Sequence, residues 1–189
     1  MQLMLDLETL DTKPSAIVLS IGAVLFNQSG IHSEFYTELN FETQLLAKRT
    51  QSQSTLNWWL NQQAGRKFNL PSEDYGYQLK EFLNWLKNEM VFYNPADFRI
   101  WGNGSTMDVS IIEDLLCSAG LSIPYHYWQI RDLRTFRELV ADVEKIDESY
   151  YEGEKHNALT DAKAQAKYVI YHMRRTGRWA TPVDTDIPF

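Results

Sequence analysis

The strongest constraint on the fold lies in the first nine residues, where an apolar run, Leu3-Met4-Leu5, leads into Asp6-Leu7-Glu8. The run predicts a buried strand over residues 2–7. Side chains alternate faces along a strand, so Asp6 and Glu8 point the same way. Neighbouring carboxylates repel each other and resist loss of water, and a cation between them relieves both costs. A pair of solvated acids at a strand end is the alternative explanation of this spacing alone.

The composition predicts one domain over residues 1–189, because 44% hydrophobic and 13% aromatic residues suffice for a substantial core. No apolar run is long enough to cross a membrane, and the first residues lack the pattern of a secretion signal. The single cysteine, Cys117, excludes a disulfide within one chain. We expect it to be a small buried residue of a cytoplasmic protein.

The formal net charge of −7 argues against a protein that coats nucleic acid through its own positive charge. An acidic protein can still act on an anionic substrate when a bound cation supplies the positive charge of the site. The charge balance therefore argues against non-specific binding of nucleic acid by charge alone but leaves metal-dependent chemistry open.

Hydrophobic periodicity and turn residues divide the chain into strands followed by mixed helices and strands. Strands are predicted over 2–7, 16–26, 32–40, 98–101 and 127–130. Helices are predicted over 55–63, from an N-cap at Ser72 to about 89, and over 107–119, 133–140 and 157–176. The acidic, aperiodic stretch 141–155 is predicted to be a loop. This order indicates an α/β fold with one central sheet.

Two further acids occur where strands give way to helices. Asp108 follows a Gly102-Asn103-Gly104 turn, and Asp161 comes five residues after His156 at the start of the last helix. Ligands of open α/β sheets gather at strand-to-helix junctions. Taken singly, each acid is also explained by stabilisation of a helix N-terminus, and His156 by a surface loop.

The joint pattern of Asp6-x-Glu8, Asp108 after a glycine turn and His156-x-x-x-x-Asp161 resembles the DEDDh, or DnaQ-like, 3′-5′ exonucleases of the ribonuclease H-like fold. The resemblance implies a central mixed five-stranded sheet, with an antiparallel three-strand meander first, flanked by helices. The tracts 6–10, 17–23 and 55–59 are most similar to a small stand-alone branch of bacterial exoribonucleases and a phage exonuclease. The chain departs from many relatives at 9–11, where they carry Thr-Thr-Gly.

The resemblance also implies the chemistry of the site. Asp6, Glu8, Asp108 and Asp161 are expected to hold two divalent cations, Mg²⁺ or Mn²⁺, which prefer hard oxygen ligands. Two such ions activate water on one side of phosphorus and stabilise the leaving oxygen on the other. His156 is expected to be the general base, because imidazole titrates near neutral pH.

Substrate contacts are predicted on three segments. The resemblance places the terminal nucleotide against Thr9 and Leu10. Trp58 and Trp59 are adjacent on a helix and cannot share one direction, so we expect one to pack and the other to stack on a base, or both to be structural. Arg131 is expected to meet a phosphate or to form a surface salt bridge.

The predicted function is a metal-dependent 3′-5′ exonuclease that releases nucleoside 5′-monophosphates from RNA. Three alternatives stay open: an exonuclease for single-stranded DNA, a phosphodiesterase for short oligonucleotides, and a catalytically silent module that binds nucleic acid. We expect no membrane association, and relatives that often pair make a homodimer plausible.

Overall fold

The structure is a computed structural model that describes residues 1–62, 70–91, 93–140, 146 and 148–177. A five-stranded sheet with the order β3-β2-β1-β4-β5 forms its centre. The strands are β1 (Gln2–Thr9), β2 (Val18–Asn27), β3 (Gly30–Glu38), β4 (Arg99–Gly102) and β5 (Ile130–Asp132). The mixed sheet and flanking helices confirm the predicted fold class.

The register of the sheet gathers the predicted chemistry at one edge. β1 pairs antiparallel with β2, and β2 with β3, which is the expected meander. β4 runs parallel to β1, and β5 runs parallel to β4. The carboxyl ends of β1, β4 and β5 therefore point in the same direction, and Glu8, Gly102 and Asp132 lie at or near those ends.

Helices cover both faces of the sheet. They are α1 (Phe41–Leu46), α2 (Gln53–Asn61), α3 (Tyr75–Met90), α4 (Asp108–Ser118), α5 (Leu133–Leu139) and α6 (Ala158–Thr176). On one face, alternate β1 residues such as Leu3 and Leu5 pack against α3 and α4. On the other face, Met4 packs with residues of α5 and α6. Asp6 and Glu8 continue the Met4 face of β1.

Several sequence-based boundaries differ from the structure. The fifth strand was predicted over 127–130, but Tyr127–Gln129 form a 3₁₀ turn and the strand begins at Ile130, because Gln129 folds back onto His126. Ser72 does not cap α3, because its hydroxyl donates to Glu73 and Asp74 accepts from the first turn instead.

Three further differences concern local elements. Helix α1 was not predicted, being too short for a periodic signal. Cys117 is exposed rather than buried. Of the predicted loop 141–155, residues 141–145 and 147 lie outside the described residues, as does residue 63 of the predicted helix 55–63, and Glu148–Tyr150 form a 3₁₀ turn.

Among the helices that the structure describes, none combines the length and the apolar composition needed to cross a bilayer.

Candidate active site

The first strand brings two carboxylates together with a third from the last helix. Carboxylate oxygens of Asp6, Glu8 and Asp161 all lie within 4.8 Å of one another. Asp6 and Glu8 share a face because strand side chains alternate, as the sequence predicts. A set of oxygen donors at this separation can hold a hard divalent cation. The residues present therefore fit a Mg²⁺-like ion at this end of β1.

Helix α6 reaches this cluster because its first turn lies directly on the sheet. Gly22 of β2 pairs with Asp6 across the sheet. A Cβ atom on Gly22 would lie 2.0 Å from the carbonyl carbon of Ala158, so only glycine leaves room for the helix. Asn157 caps the helix, its side-chain oxygen accepting from the backbone N–H groups of Leu159 and Thr160. The cap and the glycine together fix the position of the first turn of α6, which carries Asp161.

The turn after β4 positions the fourth acid. Asp108 opens α4, and its Oδ2 accepts a 3.0 Å hydrogen bond from the backbone N–H of Asn103. A backbone N–H of Leu7 also donates to this carboxylate, which joins it to β1. Burial raises the pKa of Asp108 to about 7, while these hydrogen bonds and the charge of Arg134 oppose the rise. Asp108 is thus a buried carboxyl beside the first strand.

The four carboxylates are close enough to repel one another. The pKa of Asp6 is held well above its ordinary value, first by burial and then by the negative charges of Asp108, Asp161 and Glu8. Gln165 of α6 opposes the rise by donating from Nε2 to Asp6 Oδ1 at 2.7 Å. In the absence of a cation, the cluster therefore favours a proton on Asp6. The same crowding would favour cation binding once the proton leaves.

His156 lies at the entrance of α6 in an unusual backbone conformation. Its φ is +62°, a left-handed geometry that is uncommon for residues other than glycine. Its backbone N–H donates to Asp161 Oδ2 at 2.9 Å, which ties the loop to the acid cluster. Its imidazole meets the indole of Trp58 at right angles, with 4.9 Å between ring centroids. The structure thus places His156 beside Asp161 and against α2.

The two tryptophans of α2 take different positions. Trp59 donates from its indole Nε1 to the backbone oxygen of Thr9 at 2.9 Å, and Trp58 meets Trp59 edge-on. Both line a cleft of about 350 Å³ that also includes Glu8 and Thr9. Leu10 holds the neighbouring turn through its backbone, donating to Ile17 and accepting from Ser52. Glu8 thus connects this cleft to the acid cluster.

The two arginines near β5 differ in what they contact. Arg131, the residue predicted from sequence, donates from Nη1 to the backbone oxygens of Trp128 and Ile130 at 2.8 and 2.7 Å. Arg134 was not predicted. Its guanidinium lies against Gly104 of the turn before Asp108, 3.4–3.5 Å from the place that a Cβ would occupy. The positive charge next to Asp108 is therefore that of Arg134.

Tyr151, like Gln165, is a residue near the acids that sequence reasoning missed. Burial raises the pKa of its phenol to about 12, and the negative charges of Asp161 and Asp6 add to the rise. The ammonium of Lys155 lies 4.8 Å from the centroid of its ring. Nothing in the pair Tyr150-Tyr151 within an acidic loop marks such a position. Arg134 had a weak signal, because it falls at the start of a predicted helix, where a guanidinium can approach the strand end.

Comparison with known protein families gives a match over most of the chain. The sequence profile of a family described as the 3′-5′ exoribonuclease Rv2179c-like domain matches residues 1–173. A search of curated proteins found no match.

Three solved structures with a similar fold are those of nucleases. The nuclease domain of 3′hExo, a DEDDh family member bound to rAMP, is 15% identical with a TM-score of 0.58, covering 96% of each chain. A 3′-exonuclease that recognises the 3′ end of a histone mRNA stem-loop is 15% identical with a TM-score of 0.64, covering 99% of this chain and 92% of that one. Exonuclease X in complex with 5′-overhanging duplex DNA is 12% identical with a TM-score of 0.59, covering 96% of each chain.

Proposed function

Because the chain belongs to the family of Rv2179c-like 3′-5′ exoribonuclease domains, we propose that it is a metal-dependent exonuclease that releases nucleoside 5′-monophosphates from the 3′ end of RNA. The observation that supports this most strongly is the convergence of Asp6, Glu8 and Asp161 within 4.8 Å, with Asp108 close enough to shift the pKa of Asp6. A catalytically silent module that binds nucleic acid would gain nothing from a cluster of carboxylates whose burial and mutual repulsion destabilise the fold.

We propose Asp6, Glu8, Asp108 and Asp161 as the ligands of two divalent cations, Mg²⁺ or Mn²⁺. Bound ions would lower the pKa of water and neutralise charge on the phosphate and the leaving oxygen. The all-oxygen donor set suits these hard cations and disfavours soft ones. The bound cations would stabilise the ionised form of each carboxylate, which burial and the neighbouring negative charges otherwise disfavour.

The chain's own groups supply orientation and proton transfer. His156 is proposed to accept the proton of the attacking water on a ring nitrogen, and its hydrogen bond to Asp161 keeps it beside the cluster. The cleft lined by Thr9, Trp58 and Trp59 is proposed to hold the terminal nucleotide, because it opens next to Glu8. A base in that cleft can stack on an indole, which is worth roughly 1–3 kcal/mol.

Single-stranded DNA is the second candidate substrate, since a protein of similar fold was solved with DNA and others with RNA or rAMP. RNA is preferred because the family is described as exoribonucleases. Short oligonucleotides require the same site and differ only in the length of chain that follows it. A homodimer, a cytoplasmic location and a single domain over 1–189 stay predictions.

The deciding experiment uses matched RNA and DNA 20-mers labelled at the 5′ end, each incubated with the full-length protein in Mg²⁺, Mn²⁺ or chelator. A ladder that shortens one nucleotide at a time from the 3′ end, faster on RNA and absent in chelator, supports the proposal. Internal fragments before mononucleotides reject the exonuclease direction, and equal rates reject the RNA preference. Asp74→Asn is a suitable control protein, because Asp74 caps α3 through its side chain and asparagine is an equally good N-cap residue.

A further inference from the structure

The indole of Trp58 lines the proposed nucleotide cleft and also contacts the imidazole of His156. We infer that Trp58 is a positioning residue that holds the imidazole of His156 for proton transfer, so that nucleotide binding and base placement depend on one side chain. The inference rests on the proposed function of His156 as the base. It assigns to Trp58 a role beyond stacking on a substrate base.

The contacts of Trp58 carry the first step of the argument. Its ring meets His156 at 4.9 Å and 90°, and it meets Trp59 at 4.9 Å and 81°. Perpendicular packing at this separation is a favourable geometry for aromatic rings. Trp59 in turn is fixed to the backbone of Thr9 by a 2.9 Å hydrogen bond. A continuous row of contacts therefore joins the end of β1 to the imidazole.

The position of His156 on the chain explains why it needs such support. It lies in a left-handed conformation between an exposed loop and the first turn of α6. Its backbone is held by Asp161, but that hydrogen bond does not fix rotation of the side chain. Residues in sparsely populated backbone conformations persist when their surroundings hold them in place. Trp58 supplies the ring contact that restricts the imidazole.

The exposure of Trp58 carries the last step. Its side chain is 39% exposed and lines the cleft that contains Glu8 and Thr9, so it is not simply a core residue. A nucleotide in this cleft would touch the same indole that contacts His156. Substrate occupancy would therefore restrict Trp58 further and, through it, the imidazole.

The test separates positioning from base stacking with two chromogenic substrates. The p-nitrophenyl ester of thymidine 5′-monophosphate places a base in the cleft, whereas methyl p-nitrophenyl phosphate has neither base nor sugar there. We expect Trp58→Ala to lower kcat on both esters by at least about tenfold, since misplacing a catalytic group by 1 Å can cost about 10²-fold. Trp58→Phe, which keeps an aromatic edge, should recover most of this loss.

Tyr171→Ala is the matched control. Tyr171 meets His172 with the same geometry, 4.9 Å and 89°, and is 45% exposed. It lies ten residues beyond Asp161 on α6, ~15 Å along the helix. This variant loses an equivalent aromatic–histidine contact and should keep the kcat of the wild type on both esters.

A double-mutant cycle gives the decisive comparison. If Trp58 acts through His156, Trp58→Ala has little further effect on kcat in the His156→Ala background. The inference is overturned if Trp58→Ala raises KM for the nucleotide ester alone and leaves turnover of the methyl ester unchanged, because Trp58 then serves only to bind the base. It is also overturned if Trp58→Ala lowers kcat by the same factor in the His156→Ala background as in the wild type.

Nuclear magnetic resonance distinguishes failure of this inference from failure of the proposed function. The chain has 4 histidines, so the ring signals of His156 can be assigned by comparison with His156→Ala. Loss of the Trp58 ring current alone shifts these signals, so the readout is the three-bond Hα–Hβ couplings of His156, which report its χ1 angle. Trp58→Ala should move these couplings from the values of one preferred rotamer towards averaged values, while Tyr171→Ala leaves them unchanged. Unchanged His156 couplings in Trp58→Ala overturn the positioning role even if the protein is active. Averaged couplings support it even if neither ester nor RNA is hydrolysed, an outcome that rejects the proposed function alone.

Discussion

Gly22 of β2 and Ala158 of α6 approach so closely that a Cβ atom on Gly22 would lie 2.0 Å from the carbonyl carbon of Ala158. The obstacle is helix backbone, which cannot rotate away as a flexible side chain can. The contact lies opposite Asp6 in the sheet and three residues before Asp161 in the helix. The geometry of the acid cluster therefore depends on a residue that carries no functional group.

Gly22→Ala should displace the start of α6 and separate Asp161 from the first strand. We expect a loss of unfolding free energy of at least about 3 kcal/mol, the upper range for overpacking, together with loss of nuclease activity and of the rise in Tm caused by Mn²⁺. Denaturant unfolding and thermal shift measure these effects. Gly120→Ala is the control, because its φ of +70° costs strain but nothing lies within 4 Å. It should lose about 1 kcal/mol and keep the response to Mn²⁺.

Asp6→Asn should abolish activity while making the metal-free protein more stable. The substitution removes one charge from a cluster that repels itself, and the amide oxygen can still accept from Gln165. We expect a higher Tm in chelator, a smaller rise in Tm on adding Mg²⁺ or Mn²⁺, and a fall in kcat of at least about 10³-fold, comparable to the loss of a major electrostatic contribution. A Tm in chelator that falls below that of the wild type would contradict mutual repulsion in the cluster.

The metal-free protein should lose stability as the pH rises from about 4 to above 7. Burial raises the folded-state pKa of Asp108 to about 7, above the unfolded value of about 3.9. The folded state therefore binds more protons than the unfolded state in this window, and the free energy of unfolding falls as these protons leave. Asp6, whose pKa is also raised, adds to the same trend. Thermal unfolding in chelator at pH 5 and pH 8 measures it.

Asp108→Asn is the corresponding control, because the amide does not titrate. The difference in Tm between pH 5 and pH 8 should be smaller in this variant than in the wild type. A wild-type protein that is more stable at pH 8 than at pH 5 in chelator would show that the carboxyls of the site do not dominate the dependence on pH.

The sequence predicted those parts of the site that follow from local periodicity. Alternation on a strand brings Asp6 and Glu8 together, and the strand and helix pattern gives the meander and α6 nearly to their ends. Asp108 and Asp161 could not be identified as site residues one at a time, because single acids at helix N-termini are common. They were identified only by the joint pattern and its family resemblance.

Other features depend on contacts between distant segments and could not be read from spacing. In the sequence Gly22 looks like any other strand residue, and only the packing of α6 against it requires a glycine. Trp58 meets His156 across nearly a hundred residues of chain. The guanidinium of Arg134, not that of Arg131, is the better candidate for a phosphate contact, because it lies over the turn that follows β4. The 3₁₀ turn at Tyr127–Gln129 replaces a predicted strand because the Gln129 side chain accepts from a backbone N–H group.

Arg134→Gln should weaken binding of nucleic acid more than Arg131→Gln does. The guanidinium of Arg134 is exposed and lies over the turn that leads to Asp108, whereas that of Arg131 already donates to two backbone oxygens. We expect KM for a short RNA to rise about tenfold in Arg134→Gln, as for loss of one charged hydrogen bond, and the slope of log affinity against log salt to fall by about 1. Lys87→Gln, an exposed residue of α3, controls for the change in net charge. A larger loss in Arg131→Gln than in Arg134→Gln would return the phosphate contact to the residue that the sequence suggests.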